Sequence, residues 1–403
     1  MDSTGVVVEY NPFHNGHDYH FRQARKLSGA DVVIAVMSGN FLQRGEPAIV
    51  SKWARAEMAL NAGVDLVVEL PYAFAVQHAD IFARGAIGIL GELRCQSFCF
   101  GSESGEIKDF EASLNLVKMH KAAYNMQVQT LLKTGMSYPQ AMAESFSNLD
   151  PRGTYVDLSK PNNILGFQYL QANHNLLHPM APLTISRKNA NYHDKSLSSE
   201  SIASATAIRK ALFEGTLDFA KTKAYLPSFS TTGLIEYEKS FGLLHSWEKY
   251  WSYLQYQLLT LEPNELNSIY ELEEGIEFRL KRAAEESESF EAFMNKVKTK
   301  RYTWTRIQRM CVHILTHSKK KEVVERSRAP EYIRLLGMNQ KGREYLNKVK
   351  KELSLPLVSR LAAISPELTR LDVKSSLVYA HVLSEPARQR LLKMEYAQPP
   401  LFR

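Results

Sequence analysis

The first two hundred residues alternate short apolar runs with amphipathic segments, a pattern typical of βαβ units that build a parallel sheet. The runs rich in apolar and β-branched residues predict strands over residues 6–9, 31–37, 65–70, 97–100 and 183–186. A polar or glycine-bearing turn follows each of them. Because ligands of open parallel sheets bind beyond the carboxyl ends of the strands, we expect these turns to converge on one crevice.

The pattern changes twice along the chain. Between residues 106 and 177 apolar positions recur at helical spacing, which predicts a helical insertion before the last strand. From about Ala211 onward strand signals nearly vanish, and Leu, Glu, Lys and Arg dominate. We therefore predict an α/β fold in which a Rossmann-like parallel-sheet domain (1–213) is followed by a mainly α-helical domain (214–403).

The turn after the first predicted strand carries the most informative polar residues. His14 and His17 bracket Gly16 at a point where a helix can begin, so both imidazoles would lie on one helical face. The free N–H groups and the positive end of a helix attract phosphate oxygens, which favours a nucleotide site. Two alternatives stay open at this point. The histidines could be ordinary helix-start residues, or ligands of a metal site that lacks a third Cys or His nearby.

The other turns offer groups that suit a phosphorylated ligand. The loop 38–48 contains Arg44, whose fixed positive charge could bind phosphate or carboxylate. Glu69 could coordinate Mg²⁺ or orient a polar group. The glycines of the turn 101–105 leave room for an adenine or a ribose, and Asn162 could contact a ligand or cap a helix.

The end of the last predicted strand and the following helix start are rich in cations and hydroxyl groups. Arg187 and Lys188 are adjacent cations directly after that strand. Ser204, Thr206 and Arg209 lie at the helix start, where they could clamp the β- and γ-phosphates of a nucleotide. The alternative for this segment is a simple Ser/Thr helix cap.

Composition narrows the setting in which the protein works. The 403 residues carry a formal charge of +7, and the odd set of three cysteines fits neither a disulfide framework nor a zinc site. No targeting segment is visible, and no run approaches the roughly 18 apolar residues of a membrane span. We expect a cytoplasmic protein without a membrane partner.

A dense basic segment lies in the predicted helical domain, with Glu322 and Glu325 as the acidic residues among its cations. Tyr302 and Trp304 are interleaved with the basic residues, which favours contact with phosphates and stacking on unpaired RNA bases. A solvated helix face is the alternative. The residues predicted to bind RNA are Lys298, Lys300, Arg301, Arg306, Arg309, Lys319, Lys320 and Lys321.

The order of these motifs resembles the nucleotidyltransferase superfamily, in which an HxGH motif follows the first strand and an S-x-T-x-I-R helix start follows the last. A closer resemblance is to the tRNA(Met) cytidine acetate ligase family. The segments that carry it are GVVVEYNPFHNGH, SGNFLQRGEPA, DLVVELP, GSESG, KPNNILG and SRKNANYHD. The resemblance implies that acetate and ATP form acetyl-adenylate, whose acetyl group passes to N4 of the wobble cytidine of elongator tRNA(Met).

The same resemblance implies a set of site residues. His14 and His17 would be catalytic, stabilising charge on the transferred adenylyl group, and Lys188 would assist. Gly101, Asn162 and Arg187 would complete a nucleotide site whose main part is one continuous stretch of the chain. That stretch comprises Val7, Val8, Glu9, Tyr10, Asn11, Pro12, Phe13, His14, Asn15, Gly16, His17, Asp18, Tyr19 and His20.

The resemblance also implies the partners of the reaction. ATP is expected as a substrate together with Mg²⁺, and acetate and elongator tRNA(Met) are the other substrates. No stable protein partner is implied. Two other functions are compatible with the residues: a nucleotidyltransferase that acts on a small phosphorylated metabolite, and a non-catalytic RNA-binding protein on the same fold.

Overall fold

A mixed sheet forms the centre of the structure, a computed structural model that describes residues 1–187, 202–214 and 217–403. Its strands are β1 (Ser3–Val8), β2 (Val32–Ser38), β3 (Leu66–Leu70), β4 (Ser97–Ser102), β5 (Ala181–Ser186), β6 (Ile333–Met338), β7 (Leu357–Val358) and β8 (Leu401–Phe402). The strand order is β5-β4-β1-β2-β3-β6-β7, and β8 pairs with β6. Strands β1 to β5 pair in parallel, which confirms the predicted parallel sheet and α/β fold.

Helices connect and cover these strands. The first part of the chain contains α1 (Asn15–Ser28), α2 (Lys52–Asn61), α3 (Tyr72–Ala75), α4 (Ala79–Glu92), α5 (Ile107–Met119), α6 (Lys121–Lys133), α7 (Tyr138–Leu149) and α8 (Pro161–His174). Helices α5 to α8 lie between β4 and β5, where the sequence predicted a helical insertion. Among the described residues, no helix combines the length and apolar character that crossing a bilayer requires.

The later part of the chain is mainly helical, as its composition predicted. It contains α9 (Ala205–Phe213), α10 (Ser228–Phe241), α11 (Trp247–Thr260), α12 (Pro263–Asn267), α13 (Ile276–Glu285), α14 (Phe290–Val297), α15 (Trp304–Leu315), α16 (Lys320–Arg326), α17 (Gln340–Val349), α18 (Pro366–His381) and α19 (Ala387–Ala397). Two short 3-10 helices, Ala220–Tyr225 and Leu361–Ala363, complete it.

The sheet is covered on both faces, which explains why its strands are almost continuously apolar. Along β2, alternate side chains enter two separate hydrophobic clusters. Val33, Ala35 and Met37 belong to the cluster that also contains α1 and α2. Val32, Ile34 and Val36 belong to the cluster that contains α4 and α8. The first of these clusters continues without a break into α11, α14 and α15, so the helical part of the chain shares a core with the sheet.

Strand β6 was not predicted, because its sequence places an arginine in the middle of a short apolar run. It lies antiparallel to β3, with a shift of register between Val67 and Val68. The sheet therefore includes a strand from the range that we predict as the second domain. Arg334, the charged residue that interrupts the apolar run, is 2% exposed.

Arg334 is buried within a cluster of four charged side chains. Its guanidinium contacts Glu69 at 3.0 Å and also pairs with Glu395. Lys52 Nζ completes the cluster at 2.8 Å from Glu69 and 2.9 Å from Glu395. Each of the four side chains is at most 5% exposed, and burial of such charges is tolerated only when they are paired. Glu69 thus orients polar groups that join α2, β3, β6 and α19.

Removal of one carboxylate from this cluster should destabilise the fold strongly. We expect Glu395→Ala to lower the free energy of unfolding by about 3–5 kcal/mol, because Lys52 and Arg334 would keep buried charge without full compensation. Glu57, whose side chain is 46% exposed and pairs with Arg403, serves as the control. For Glu57→Ala we expect a loss of at most about 1 kcal/mol. Denaturant unfolding measures both, and equal losses would contradict the assigned role.

The contribution of Glu395 to the free energy of unfolding should also depend on pH. Burial acts to raise the pKa of this carboxyl group, but Lys52 and Arg334 outweigh burial and lower the pKa from 4.5 to about 2. The stabilisation is therefore present above pH 4.5 and is lost as the pH falls toward 2. The stability difference between wild type and Glu395→Ala should shrink over this interval.

Candidate active site

A buried arginine fixes the chain where β1 and β2 end. Arg55 of α2 is fully buried, and its guanidinium donates to the backbone carbonyl oxygens of four residues. The acceptors are those of Glu9 at 2.6 Å, Ser38 at 3.1 Å, Val50 at 3.2 Å and Gly39. Burial lowers the pKa of Arg55 to about 10, so the group keeps its charge at neutral pH. Its contacts hold the turns after β1 and β2 in fixed positions.

The turn after β1 is fixed further by Asn11. The side-chain oxygen of Asn11 accepts a hydrogen bond from the backbone N–H of Ile49 at 2.7 Å. Its backbone carbonyl accepts from Arg209 Nη1 at 2.9 Å. Residues from α9 and from the loop after β2 therefore contact the segment that leads into α1, and they bring three of the predicted motifs together.

His14 and His17 cap the start of α1 reciprocally. His14 Nδ1 accepts from the backbone N–H of Gly16 at 3.0 Å, and His17 Nδ1 accepts from the backbone N–H of His14 at 3.3 Å. The ring centroids lie 3.8 Å apart. Because each Nδ1 is an acceptor, the proton of the neutral ring is on Nε2. A Cβ atom at Gly16 would lie 2.8 Å from His14 Cε1, which explains the glycine.

Both imidazoles are neutral at physiological pH. Burial lowers the pKa of His14 to about 3, and the charges of Arg187 and Arg209 act in the same direction. Burial lowers the pKa of His17 well below 6.5, with further contributions from neighbouring histidines and Arg187. His14 and His17 can therefore cap the helix start and also contact a ligand. Because both rings are neutral and carry the proton on Nε2, each provides a fixed hydrogen-bond donor.

A cavity of about 290 Å³ opens at this point, beyond the carboxyl ends of β1, β4 and β5. Most residues predicted for the nucleotide site line it. These are Val7, Val8, Glu9, Tyr10, Asn11, His14, Gly16, His17, Tyr19, His20, Gly101, Asn162, Arg187, Ser204, Thr206 and Arg209.

Four of the predicted residues that the structure describes are not in the cavity lining. Phe13 is fully buried and packs against other aromatic rings. Asp18 pairs with Arg22 at 2.8 Å, and Asn15 Nδ2 donates to the carbonyl oxygen of Ala224 at 3.0 Å. Pro12 lies in the turn but outside the lining. The predicted Lys188 lies outside the described residues.

Three arginines make the described part of the cavity strongly basic. Arg44, Arg187 and Arg209 all line it. Arg209 Nη2 pairs with Glu46 Oε2 at 2.7 Å, and Arg187 Nη1 contacts Asn162 Oδ1 at 3.4 Å. Burial lowers the pKa values of Arg44 and Arg187. This concentration of positive charge suits a polyphosphate ligand.

The predicted helix start after β5 is α9, and its first turn faces the cavity. Ser204 is the N-cap, and its hydroxyl oxygen accepts from the backbone N–H of Ala207 at 3.1 Å. The capping interpretation of Ser204 is therefore confirmed. Ser204 and Thr206 also line the cavity, so the positive end of α9 faces the same space as that of α1.

The turn after β4 and the start of α8 are bound to each other. The Glu103 carboxylate accepts from the backbone N–H of Asn163 at 2.8 Å and from Asn162 Nδ2 at 2.7 Å. In return, Asn163 Oδ1 accepts from the backbone N–H of Glu103 at 2.9 Å. Glu103 therefore accepts the N–H groups at the start of α8, where the sequence suggested Asn162 as a cap. Asn162 instead contacts Arg187 at the cavity.

Metal binding by side chains alone finds no support within the described ranges. They contain no group of three or more His, Cys, Asp or Glu side chains that could hold an ion. The cavity lining includes the carboxyl groups of Glu9 and Glu46. Sites of this kind fit Mg²⁺ only when substrate phosphates provide most of its ligands.

Comparison with known proteins connects this geometry to a family. The sequence model of the family described as HIGH Nucleotidyl Transferase matches residues 1–394. The tRNA(Met) cytidine acetate ligase of Geobacillus sp. (strain WCH70) is 50% identical over 404 residues, covering 100% of both chains. That of Bacillus subtilis (strain 168) is also 50% identical, covering 100% of this chain and 97% of the relative. The chain belongs to the tRNA(Met) cytidine acetate ligase family.

Solved structures of the family have the same fold. Thermotoga maritima TmcAL in its apo form I is 33% identical and superposes with a TM-score of 0.92, covering 100% of this chain and 99% of that one. The same protein bound with alpha-thio ATP is 32% identical, with a TM-score of 0.90 and the same coverage. The family resemblance inferred from the N-terminal motifs is thus confirmed and extends over the full chain.

The basic residues predicted to bind RNA differ in their surroundings. Those on the surface are Lys298, Lys300, Arg301, Lys319 and Lys321, while Arg306 and Lys320 are partly exposed. Arg309 is 8% exposed and pairs with Glu271 at 2.8 Å beneath the loop that contains Gly45. Tyr302 is buried, and the Arg306 guanidinium lies 4.9 Å from its ring centroid. Arg309 and Tyr302 thus have intramolecular partners in this structure.

Some cavity residues carried no distinctive signal in the sequence. Tyr169 lies inside α8 and looks like an ordinary core aromatic, although it follows Asn162 by seven positions and so shares its helical face. Phe82 of α4 also lines the cavity and is equally inconspicuous. Gln43 belongs to the loop that the sequence did suggest as a pocket wall, and the structure confirms that this loop contributes to the cavity.

The assigned protonation states can be observed directly. In the ligand-free protein we expect His14 and His17 to stay neutral between pH 8 and pH 5, because burial lowers both pKa values below this range. Long-range nitrogen–proton correlation spectra of histidine-labelled protein report both charge and tautomer. The expected spectra show the Nε2–H tautomer throughout, with signals assigned through a His14→Gln variant. Titration of either ring near pH 6.5 would contradict this assignment.

Proposed function

We propose that this chain is an ATP-dependent acetate ligase. In its first step, acetate and ATP form acetyl-adenylate and pyrophosphate. In its second, the acetyl group passes to N4 of the wobble cytidine of elongator tRNA(Met), giving N4-acetylcytidine and AMP. The observation that carries the proposal is one cavity in which two neutral histidines, three arginines and two helix starts converge. The names of relatives that are 50% identical over the full chain support the choice of substrates.

The first step requires placement and charge stabilisation rather than a base. Acetate is already ionised at neutral pH, so one of its oxygens can attack the α-phosphate of ATP directly. Negative charge then develops on the phosphoryl oxygens and on the departing pyrophosphate. We assign the Nε2–H groups of His14 and His17 to the α-phosphate region. Donors fixed before the reaction stabilise such charge without reorganisation.

The remaining contacts define how ATP would lie. We place the β- and γ-phosphates near Arg209 and the start of α9, with Arg187 beside the phosphate chain. Gly101 and Asn162, which also line the cavity, would border the ribose and adenine. Lys188 follows Arg187 directly and is proposed to assist it. Mg²⁺ would enter with ATP, its ligands being chiefly phosphate oxygens.

The tRNA would bind the exposed cations of the helical part. Lys298, Lys300 and Arg301 lie around the start of α15, and Lys319 to Lys321 lie at the start of α16. Their surface positions suit contacts to RNA phosphates. Because Arg309 is buried and paired, we assign it to support of the loop after β2. We propose that the reaction takes place in the cytoplasm.

One assay tests this function. The protein is incubated with ATP, radiolabelled acetate and a mixture of tRNAs, and labelled tRNA is measured together with AMP. We expect label in tRNA only when both ATP and acetate are present. Turnover of a phosphorylated metabolite without labelled tRNA would instead indicate a small-molecule nucleotidyltransferase. RNA binding without any turnover would indicate a non-catalytic protein.

The same assay checks the roles of the histidines. We expect His14→Ala and His17→Ala each to lower adenylate formation by about 10²–10³, the usual effect of removing one donor at the reacting centre. Binding of tRNA should be unaffected. His178 is an exposed histidine outside the cavity, so His178→Ala serves as the control. Turnover near wild type in both cavity variants would refute the assignment.

A further inference from the structure

The described lining of the cavity contains two carboxyl groups, and they differ in their hydrogen bonding. Glu46 is engaged, because its Oε2 pairs with Arg209 at 2.7 Å. Glu9 is fixed through only one oxygen: Oε1 accepts from the backbone N–H of Gln43 at 2.7 Å and from Ser38 Oγ at 3.3 Å. Within the described residues, Glu9 Oε2 accepts no hydrogen bond. One acceptor atom of the site is therefore held in position with no partner in these ranges.

His14 and His17 cannot supply that acceptor. The Nδ1 atoms of His14 and His17 already accept backbone N–H groups, and their Nε2 atoms are donors. His20 also lines the cavity, but burial lowers its pKa to about 4, so its ring binds a proton less readily than the Glu9 carboxylate, whose pKa is raised above 4.5. Glu9 can therefore receive a proton from a ligand without loss of a helix cap.

From these contacts, we propose that Glu9 binds the exocyclic amine of the target cytosine and takes a proton from it during acetyl transfer. This inference rests on the proposed function and deepens it by naming the acceptor subsite. A carboxylate is the complementary acceptor for cytosine N4–H. Tyr169 is close enough for the Glu9 charge to raise its pKa further, and with Phe82 it offers aromatic surface to a base.

Acetyl transfer replaces one bond at the acetyl carbon by another. The N4 nitrogen attacks the carbonyl carbon of acetyl-adenylate and forms the new C–N bond. The bond between that carbon and the phosphate oxygen breaks, and AMP leaves with the electron pair. One N4 proton moves to Glu9 Oε2, from which it returns to solvent. Because the N4 lone pair is delocalised into the cytosine ring, attack is weak unless this proton is removed.

The surroundings of Glu9 suit a base that works near neutral pH. Burial raises its pKa above the ordinary value of 4.5, and the charge of Glu46 adds to this effect. The Gln43 backbone N–H and the charges of Arg44 and Arg55 oppose it. A general base is most effective when its pKa lies close to the working pH, so a raised value favours the assigned role.

The test separates the two half-reactions in Glu9→Gln, a variant that preserves the size of the side chain and the acceptor for Gln43. We expect acetate-dependent exchange of labelled pyrophosphate into ATP to fall much less than transfer, because Glu9 lines the nucleotide cavity but takes no proton in the first step. Transfer from preformed acetyl-adenylate to tRNA, measured in a single turnover, should fall by about 10²–10⁴. Glu46→Gln is the matched control. It removes one negative charge from the same cavity but leaves the proposed base in place, so it distinguishes loss of a base from loss of a negative charge.

The pH profile supplies a second readout that needs no variant. In wild type and in Glu46→Gln, the transfer rate should fall as the pH decreases through the raised pKa of Glu9, because the protonated carboxyl group cannot accept a proton. Glu9→Gln should lack this limb, and Glu9→Asp should retain it at a reduced rate. The exchange reaction should show no such limb in any of these proteins.

Four results would contradict the inference. Transfer at the wild-type rate in Glu9→Gln, or a wild-type transfer rate without the acidic limb, would overturn the assigned role alone. Equal losses of exchange and transfer in Glu9→Gln would assign Glu9 to nucleotide binding instead. Absence of acetate-dependent exchange in the wild-type protein would overturn the proposed function itself, and this inference with it.

Discussion

The guanidinium of Arg55 holds the carboxyl ends of the two central strands together, and the geometry of the cavity depends on that contact. It donates to the carbonyl oxygens of Glu9 at the end of β1 and of Ser38 and Gly39 at the end of β2. Burial of an arginine is unfavourable unless its donors are satisfied, and these carbonyls satisfy them. The same contacts fix Glu9 and the segment that leads to His14. The positions of both turns, and with them the geometry of the site, therefore depend on one side chain.

The electrostatics of the site follow from this arrangement. Buried next to arginines, His14 and His17 stay neutral, and their mutual capping leaves the Nε2–H groups as donors. Positive charge comes from arginines, which remain charged even where burial lowers their pKa values. Such a site suits attack by a nucleophile that is already ionised. The second step, in which an amine must lose a proton, needs a different group, and Glu9 is placed to provide it.

The parallel sheet and most of the cavity could be predicted from the sequence because both depend on local patterns. Apolar β-branched runs predict strands, and the polar turns after them converge by the geometry of parallel sheets. Strand β6 could not be predicted, because Arg334 interrupts the apolar run and the carboxylates that neutralise its charge come from distant β3 and α19. The burial of Arg309 and Tyr302 could not be predicted either, since the sequence of a basic, aromatic segment does not indicate which side chains pair within the fold.

Acetate attacks the α-phosphate of ATP directly, a step for which the cavity supplies hydrogen-bond donors and in which no base takes part. Acetate labelled with oxygen-18 in its carboxylate tests this step. Attack through a carboxylate oxygen, followed by cleavage between the acetyl carbon and that oxygen, leaves the labelled oxygen on phosphorus. Mass spectrometry of the products should therefore find one acetate oxygen in each AMP. Unlabelled AMP, or label in inorganic phosphate, would contradict this mechanism.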